Sequence, residues 1–249
     1  MISRRKLLTG AGVATGAAGL AAATRIAGRY GLMPPSSGSL YAPGEALTYA
    51  AQRLLAGDTR AREFRRDQIS TQPFANTRAP EEGDYPRLQT GGFRDWRLEV
   101  GGMATKPLSL SVEELRRFPK SSQITQLTCE EGWSFIAEWA GATLRSVLEA
   151  AGVSPEAKYV VYHSIQDGWW DSLDMAEALH PQTLVNYEIN GAALPPGHGG
   201  PLRLRVPRQL GYKSVKYLVR LTATDDLSRF GKGMGGSAPE YGYSWYAGI

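Results

Sequence analysis

The chain has 249 residues, 42% apolar and 21% charged, with a formal net charge of +4 and a single cysteine. Three of its 28 Lys and Arg lie in residues 1–23, which hold no Asp or Glu. The remainder is nearly neutral, which excludes the global electrostatic footprint of a nucleic-acid-binding protein. One cysteine excludes an internal disulfide and a Cys-rich zinc site, and 29 Gly with 15 Pro argue against a helical bundle.

In chain order, Met1-Ile2-Ser3-Arg4-Arg5-Lys6-Leu7-Leu8 puts three cations ahead of an uncharged run over residues 7–23. A basic start and an apolar middle are the layout of an export signal, and the paired arginines specify the twin-arginine type, with its translocon as a partner. The run is short and rich in Gly and Ala, weakly apolar for a membrane span. Ala21-Ala22-Ala23 offers small residues for cleavage; Arg25 and Arg29 follow so closely that an uncleaved anchor is the alternative. The expected location is the periplasm. That route carries proteins already folded, often around a cofactor, so the signal points to a cofactor protein. Residues 1–33 thus read as signal and start of a linker, 34–69 as linker and N-terminal helical segment (charged helix over 46–66), and 70–249 as the main domain.

From Asp95 the patterns sharpen. Trp96, Leu98 and Val100 alternate with Arg97 and Glu99, predicting a half-buried strand. Ser111-Val112-Glu113-Glu114 is a capping box flanked by Leu110 and Leu115 as a hydrophobic staple. A helix over 144–151 puts Leu144, Val147, Leu148 and Ala151 on one face and stops at Gly152. Residues 159–163 read as a strand and 173–179 as a short helix. Residues 183–189 followed by Asn190-Gly191 give a hairpin. Leu202, Leu204 and Val206 alternate with Arg203 and Arg205; Val215, Tyr217, Val219 and Leu221 alternate with Lys216, Arg220 and Thr222. Each predicts a strand, with Arg203 on its solvent side. Strands and helices mix without a βαβ rhythm, so the class is α+β with mixed sheets and short helices.

Cys129 lies in Leu127-Thr128-Cys129-Glu130-Glu131-Gly132-Trp133. It has three available roles: core filler, nucleophile of a thiol hydrolase with His163 or His198, or single thiolate ligand to a metal. Glu130 and Glu131 beside the thiol raise its pKa and oppose the nucleophile. No phosphate-binding loop or dinucleotide fingerprint is present. His163, His180 and His198 lack the helical pairing of a zinc protease. The Gly- and Pro-rich run Pro195-Pro196-Gly197-His198-Gly199-Gly200-Pro201, Arg203, and Gly211-Tyr212-Lys213-Ser214-Val215-Lys216 together have the make-up of an anion site, or of an ordinary basic turn.

These segments resemble a family. Thr128-Cys129-Glu130-Glu131-Gly132-Trp133-Ser134 with Trp139-Ala140-Gly141-Ala142-Thr143-Leu144 is similar to the metal-ligand segment of the sulfite-oxidase-fold molybdenum enzymes. Tyr187-Glu188-Ile189-Asn190-Gly191, the run from His198 to Arg203, and Gly211 to Leu218 resemble their pterin-phosphate segment, and Tyr243-Ser244-Trp245-Tyr246-Ala247-Gly248-Ile249 a bacterial exported branch. The resemblance implies that residues 70–249 are a molybdopterin-binding oxidoreductase domain of that fold. By the same resemblance it would carry one pterin and no haem, and would perform oxygen-atom transfer or a related two-electron step on a small or protein-borne, sulfoxide-like or sulfite-like substrate. Cys129 would be the molybdenum ligand; Asn76, Ser164, His198, Arg203, Lys213, Ser214, Val215 and Lys216 would hold the pterin and its phosphate. Electrons would pass through a separate carrier, a membrane cytochrome b or a periplasmic cytochrome c.

The departures also inform. Glu130, Glu131 and Trp133 replace the cationic stretch of sulfite oxidases proper, and carboxylates beside an incoming dianion work against binding it. The Cys-x-Glu-x-Trp order is closer to the periplasmic methionine-sulfoxide reductase catalytic subunits. The segment Ile165-Gln166-Asp167-Gly168-Trp169-Trp170-Asp171 is shorter than in many relatives, which predicts a different pocket mouth, with Trp169, Trp170 and Tyr187 as candidate lining. A cofactor-free binding module is the remaining alternative.

Overall fold

The computed structural model describes residues 34–35 and 42–249. The export signal falls outside them. Among the described residues no helix is long and apolar enough to cross a membrane. Two compact units divide the chain, Met1–Gly57 and Asp58–Ile249. In the first, helix α1 (Ala42–Ala56) replaces the helix expected over 46–66. Residues beyond Gly57 instead belong to the second unit, where Glu63 bridges Thr125, Phe64 N–H donates to Ile124 O at 2.9 Å, and Ser70 N–H donates to Ile136 O at 2.9 Å. Pairing to a sheet outweighs helix propensity here.

The second unit begins with α2 (Tyr85–Thr90), then β1 (Leu98–Gly102), β2 (Leu108–Leu110) and α3 (Val112–Leu115). Next come β3 (Lys120–Thr128), β4 (Ser134–Thr143), α4 (Leu144–Ala150), β5 (Tyr159–Ser164), β6 (Trp170–Asp174) and α5 (Met175–Ala178). The chain continues through β7 (Leu184–Ile189), β8 (Ala192–Ala193), β9 (Arg203–Arg205), β10 (Leu218–Thr224) and α6 (Ser237–Glu240). One five-stranded sheet has the order β2-β1-β10-β5-β6; the other runs β3-β4-β7-β8, with β9 also pairing β7. Only β1 and β10 pair in parallel among these ladders. The fold is α+β with mixed sheets and short helices.

The main core joins the two sheets: Leu98, Val100, Tyr162 and Leu221 from the first meet Val185, Tyr187 and Leu204 from the second, with Leu144, Val147 and Leu148 of α4 filling between. A smaller cluster of Leu127, Phe135, Ala137, Trp139, Ile189 and Leu194 includes β3, β4 and β7 residues. The local signals account for several elements. Ser111 accepts from Glu114 N–H and the Glu114 side chain returns to Ser111 N–H, closing the capping box. Asn190 (φ 50°) and Gly191 (φ 77°) form the β7–β8 turn, which requires positive φ at both positions.

Three expectations are corrected. Leu173 is not helical: it lies in β6 and pairs with Val160 of β5, and the helix starts only at Met175, where Asp174 caps it by accepting from Glu177 N–H at 2.8 Å. The strand expected from Val215 starts at Leu218. Tyr217 takes φ +56° and the ladder to β5 shifts between Leu218 and Arg220, so Tyr217 and Leu218 are both buried and the alternation changes parity. Finally, β9 has no solvent side. Arg203 is 3% exposed and Arg205 fully buried, both with their guanidinium groups over the Trp139 ring at 5.4 and 5.1 Å. Arg203 donates to the carbonyl oxygens of His198 and Ser214, and Arg205 to Gln126 O and the Thr125 hydroxyl.

Candidate functional site

A cleft of about 150 Å³ opens where the sheets' loops converge. The β3–β4 hairpin is registered from Lys120↔Ala142 to Thr128↔Ser134, and its tip holds Cys129. There Cys129 N–H donates to Trp133 O at 2.9 Å, Gly132 N–H returns to Cys129 O at 3.1 Å, and Gly132 takes the φ of +92° that the turn needs. The β5–β6 tip contributes Ser164, Gln166 and Trp169; the turn before β9 (Pro196–His198) contributes His198; the loop after β9 contributes Gly211, Tyr212, Ser214, Val215 and Lys216; and the segment 74–77 contributes Phe74, Asn76 and Thr77.

The structure gathers Cys129, Asn76, Ser164, His198, Arg203, Ser214, Val215 and Lys216 on this one cleft. It does not bring Lys213 there. That side chain is fully buried on the other side of its turn, with Nζ donating to Asp171 Oδ1 at 2.5 Å and to Ser172 O at 2.8 Å. The expectation of Lys213 as a phosphate partner is corrected, because a turn that aims Tyr212, Ser214 and Lys216 inward must send one side chain back. Of the candidate mouth aromatics, only Trp169 lines the cleft, 57% exposed. Trp170 stacks on His163 at 6.0 Å, and Tyr187 is core beneath the Arg116 guanidinium. Phe74, Thr77, Gln166 and Tyr212 are lining residues that sequence reasoning missed. Phe74 and Thr77 flank Asn76, and adjacency to a motif residue was their only signal.

The cleft's electrostatics are divided. Arg203 donates to His198 O at 2.9 Å and to Ser214 O at 2.7 Å, while its buried Nε has no partner. Lys216 Nζ donates to Asn76 Oδ1, Thr77 Oγ1 and Gly197 O at 3.0, 2.9 and 2.8 Å. His198 Nε2 is buried and also unpartnered. Burial, then Arg203 and Lys216 nearby, lowers the His198 pKa and favours neutral imidazole. Burial and the Arg203 charge push Lys216 down to about 7, and burial pushes Arg203 down to about 10. No carboxylate pairs with either cation among the described residues. A buried guanidinium and a half-buried ammonium, both hydrogen-bonded to neutral oxygens and neither in an ion pair, form a site for an anion.

On the facing wall, Cys129 Sγ donates to Glu130 Oε2 at 3.3 Å and Glu131 Oε2 at 3.8 Å, and Trp133 Nε1 holds Glu131 Oε2 at 2.7 Å. Burial, reinforced by the two carboxylates, pushes the Cys129 thiol up to about 12. An uncoordinated Cys129 is therefore a poor nucleophile, and His198 Nε2, lacking any partner, does not activate it. No cluster of three or more His, Cys, Asp or Glu able to hold a metal occurs among the described residues. A lone thiol beside an anion site suits a metal whose other ligands belong to an anionic organic group. Gly211 fits that too: a Cβ there would meet Thr128 O at 3.3 Å and the Cys129 Cα at 3.4 Å, so glycine lets the two loops close together.

The Lys216 shift makes a testable pH dependence. The unfolded lysine titrates near 10.4, the folded one near 7, so between those values the unfolded chain binds more protons. Stability of the anion-free protein should therefore rise with pH across that window. Affinity for a phosphate-bearing group should fall there, by at most about tenfold per pH unit. Lys216→Met should flatten both profiles, read from melting temperature and binding against pH.

Comparison with known proteins follows from this geometry. Residues 83–229 match the family model described as oxidoreductase molybdopterin binding domain. A putative protein-methionine-sulfoxide reductase subunit, YedZ1, of Azospira oryzae is 34% identical over 182 residues, 73% of this chain and 66% of that protein. The protein-methionine-sulfoxide reductase catalytic subunit MsrP of Campylobacter jejuni is 33% identical over 154 residues, 55% of this chain and 52% of that one. The chain thus spans between half and two thirds of these curated relatives. Among solved structures, the sulfane dehydrogenase SoxCD of Paracoccus pantotrophus aligns with a TM-score of 0.51 at 28% identity, covering 53% of this chain and 39% of that one.

Proposed function

Because the chain belongs to the oxidoreductase molybdopterin binding domain family and has the sulfite-oxidase fold, we propose that it is an exported molybdenum–molybdopterin oxidoreductase that reduces a sulfoxide. The observation that carries this reading is the single thiol of Cys129 set, in one cleft, against two cations without an ion-pair partner and the unpartnered Nε of Arg203 and Nε2 of His198. In the net reaction the S–O bond of the sulfoxide breaks, two electrons and two protons are taken up, and a thioether and water leave. The cofactor, when bound, supplies the two-electron redox centre.

The chain's own residues have separable tasks. Cys129 would ligate molybdenum as a thiolate; coordination removes the proton that Glu130 and Glu131 otherwise share. Arg203, Lys216 and His198 would hold the cofactor's phosphate end, with Ser164, Ser214, Val215 and Asn76 lining its seat. Phe74 and Trp133, their ring centroids 4.9 Å apart, and Trp169 form an apolar mouth suited to the organic groups of a sulfoxide, small or protein-borne. The N-terminal twin-arginine pattern supports export to the periplasm through that translocon. The word "subunit" in both relatives' names supports a separate electron carrier, a membrane cytochrome b or a periplasmic cytochrome c.

The carboxylates give the reading a direction. At about 5 Å and an effective dielectric of 20, one unit charge repels another by about 3 kcal/mol, less where water screens it as it does the exposed Glu131. Glu131→Gln should therefore strengthen sulfite binding by up to about tenfold while changing sulfoxide turnover by less than about threefold. Equal effects on both substrates would show that Glu131 does not discriminate by charge.

The whole reading is tested on protein exported from cells with active molybdopterin synthesis. One molybdenum per chain and dye-driven reduction of a sulfoxide are expected. Metal-free protein from such cells sinks it, and loss of function by alkylation of metal-free protein would favour the thiol hydrolase.

A further inference from the structure

The loop that supplies Tyr212, Ser214, Val215 and Lys216 to the cleft is held from behind by the last residues of the chain. Leu210 N–H donates to Ala247 O at 2.9 Å, Ile249 N–H donates to Arg208 O at 3.0 Å, and Gln209 bridges Gly248. Tyr212 Oη donates to Ser244 O at 2.5 Å. Beneath this ladder, the Lys213–Asp171 pair is buried without touching the cleft. Trp245 closes it: Lys213 Nζ lies 5.1 Å from the Trp245 ring centroid, and Trp245 Nε1 donates to Ser172 Oγ at 2.8 Å. Gly236 packs so near that a Cβ there would stand 2.6 Å from Asp171 Oδ1. The backbone of Lys213 is pinned as well, its carbonyl accepting from Tyr162 Oη at 2.9 Å.

A buried ion pair is a poor way to gain stability, since desolvating two charges offsets most of their attraction. What it does fix is position, because the ammonium must meet one carboxylate oxygen, one carbonyl and one ring at once. Lys213 sits between two cleft-lining residues, so fixing it fixes Tyr212 and Ser214. We propose that Asp171, Lys213 and Trp245 are positioning residues that hold the 211–216 loop in the shape that retains the cofactor's phosphate end, making the C-terminal segment part of the cofactor site. This rests on the molybdopterin reading of the cleft.

The test uses the full chain exported with its cofactor and compares two variants with the parent. Asp171→Asn combined with Lys213→Met removes both charges together, so no uncompensated charge remains. Trp245→Phe keeps a buried ring, deletes the bond to Ser172 and shortens the aromatic face that meets Lys213. For each, molybdenum per chain and the rate of molybdenum loss on dilution are measured beside the melting temperature. The double variant should melt near the parent and lose metal about tenfold faster, and Trp245→Phe about threefold faster, as expected when a preorganised site is loosened. Loss rates equal to the parent's, or rates that merely follow melting temperature, overturn the proposal. If the double variant does not fold, Trp245→Phe decides by the same criterion. A parent chain without molybdenum overturns instead the reading of the cleft itself.

Discussion

Cys129→Ser should abolish turnover, by at least about a thousandfold, which corresponds to about 4 kcal/mol of lost transition-state stabilisation. A serine hydroxyl is a harder and far less acidic ligand than a thiol, so on the proposed reading the metal would lose the thiolate that Cys129 supplies. The anion site is built from other loops, chiefly Arg203, His198 and Lys216. The variant should therefore fold with a melting temperature near the parent's and retain a substantial part of its pterin. Turnover, molybdenum content and pterin content measured on one preparation separate these effects. Activity within about tenfold of the parent would remove Cys129 from the metal. Metal-free parent protein should react slowly with alkylating reagents, because its thiol is 7% exposed and protonated far above neutral pH.

Trp139→Ala is the second large effect, and it acts on the folded state. The ring is fully buried in β4, beside Phe135 at 5.7 Å and under both Arg203 and Arg205, with Nε1 donating to Thr125 O at 3.2 Å. Truncating so large a side chain costs about 3–5 kcal/mol from lost burial and the cavity left behind. Here it also strips two guanidinium groups of the aromatic face that offsets their desolvation. For a domain of this size the melting temperature should drop by roughly 6–20 °C. Trp139→Phe keeps a ring face and should cost less than half as much, by denaturant titration. A loss below about 1 kcal/mol in the alanine variant would mean the arginines rest on something else.

Much of the fold was legible because local chemistry and tertiary structure agree. The Ser111–Glu114 box, the Asn190-Gly191 turn, the Trp96–Leu98–Val100 alternation and the one-sided helix α4 each encode their element within a few residues. The failures share a cause. Arg203 and Arg205 looked like a solvent face because buried arginine is rare, and only the folded chain brings His198 O, Ser214 O and Gln126 O to receive them. Leu173 looked helical because its pairing with Val160 is invisible locally. Tyr217 shifted the strand by one parity through a backbone angle that no side-chain pattern reports.

The cleft was legible as a set of motifs, though not as an arrangement. Cys129 announced itself by being the only cysteine. Which neighbours of each motif turn inward depended on the turn geometry, which is why Lys213 was expected in the cleft while Tyr212 and Thr77 were not.

The unpaired cations of the cleft also bear on the lifetime of a newly made chain. Arg203 is buried and Lys216 half-buried against neutral oxygens, so the protein without its anion holds positive charge partly withdrawn from water with no ion-paired carboxylate among the described residues to offset it. A ligand that binds only the folded form stabilises it by mass action. Chains made when that ligand is scarce will open more often and be cut sooner by proteases, around the loops that surround the empty seat. The abundance of the protein in a cell would then track the supply of its cofactor, with no regulator of its expression involved.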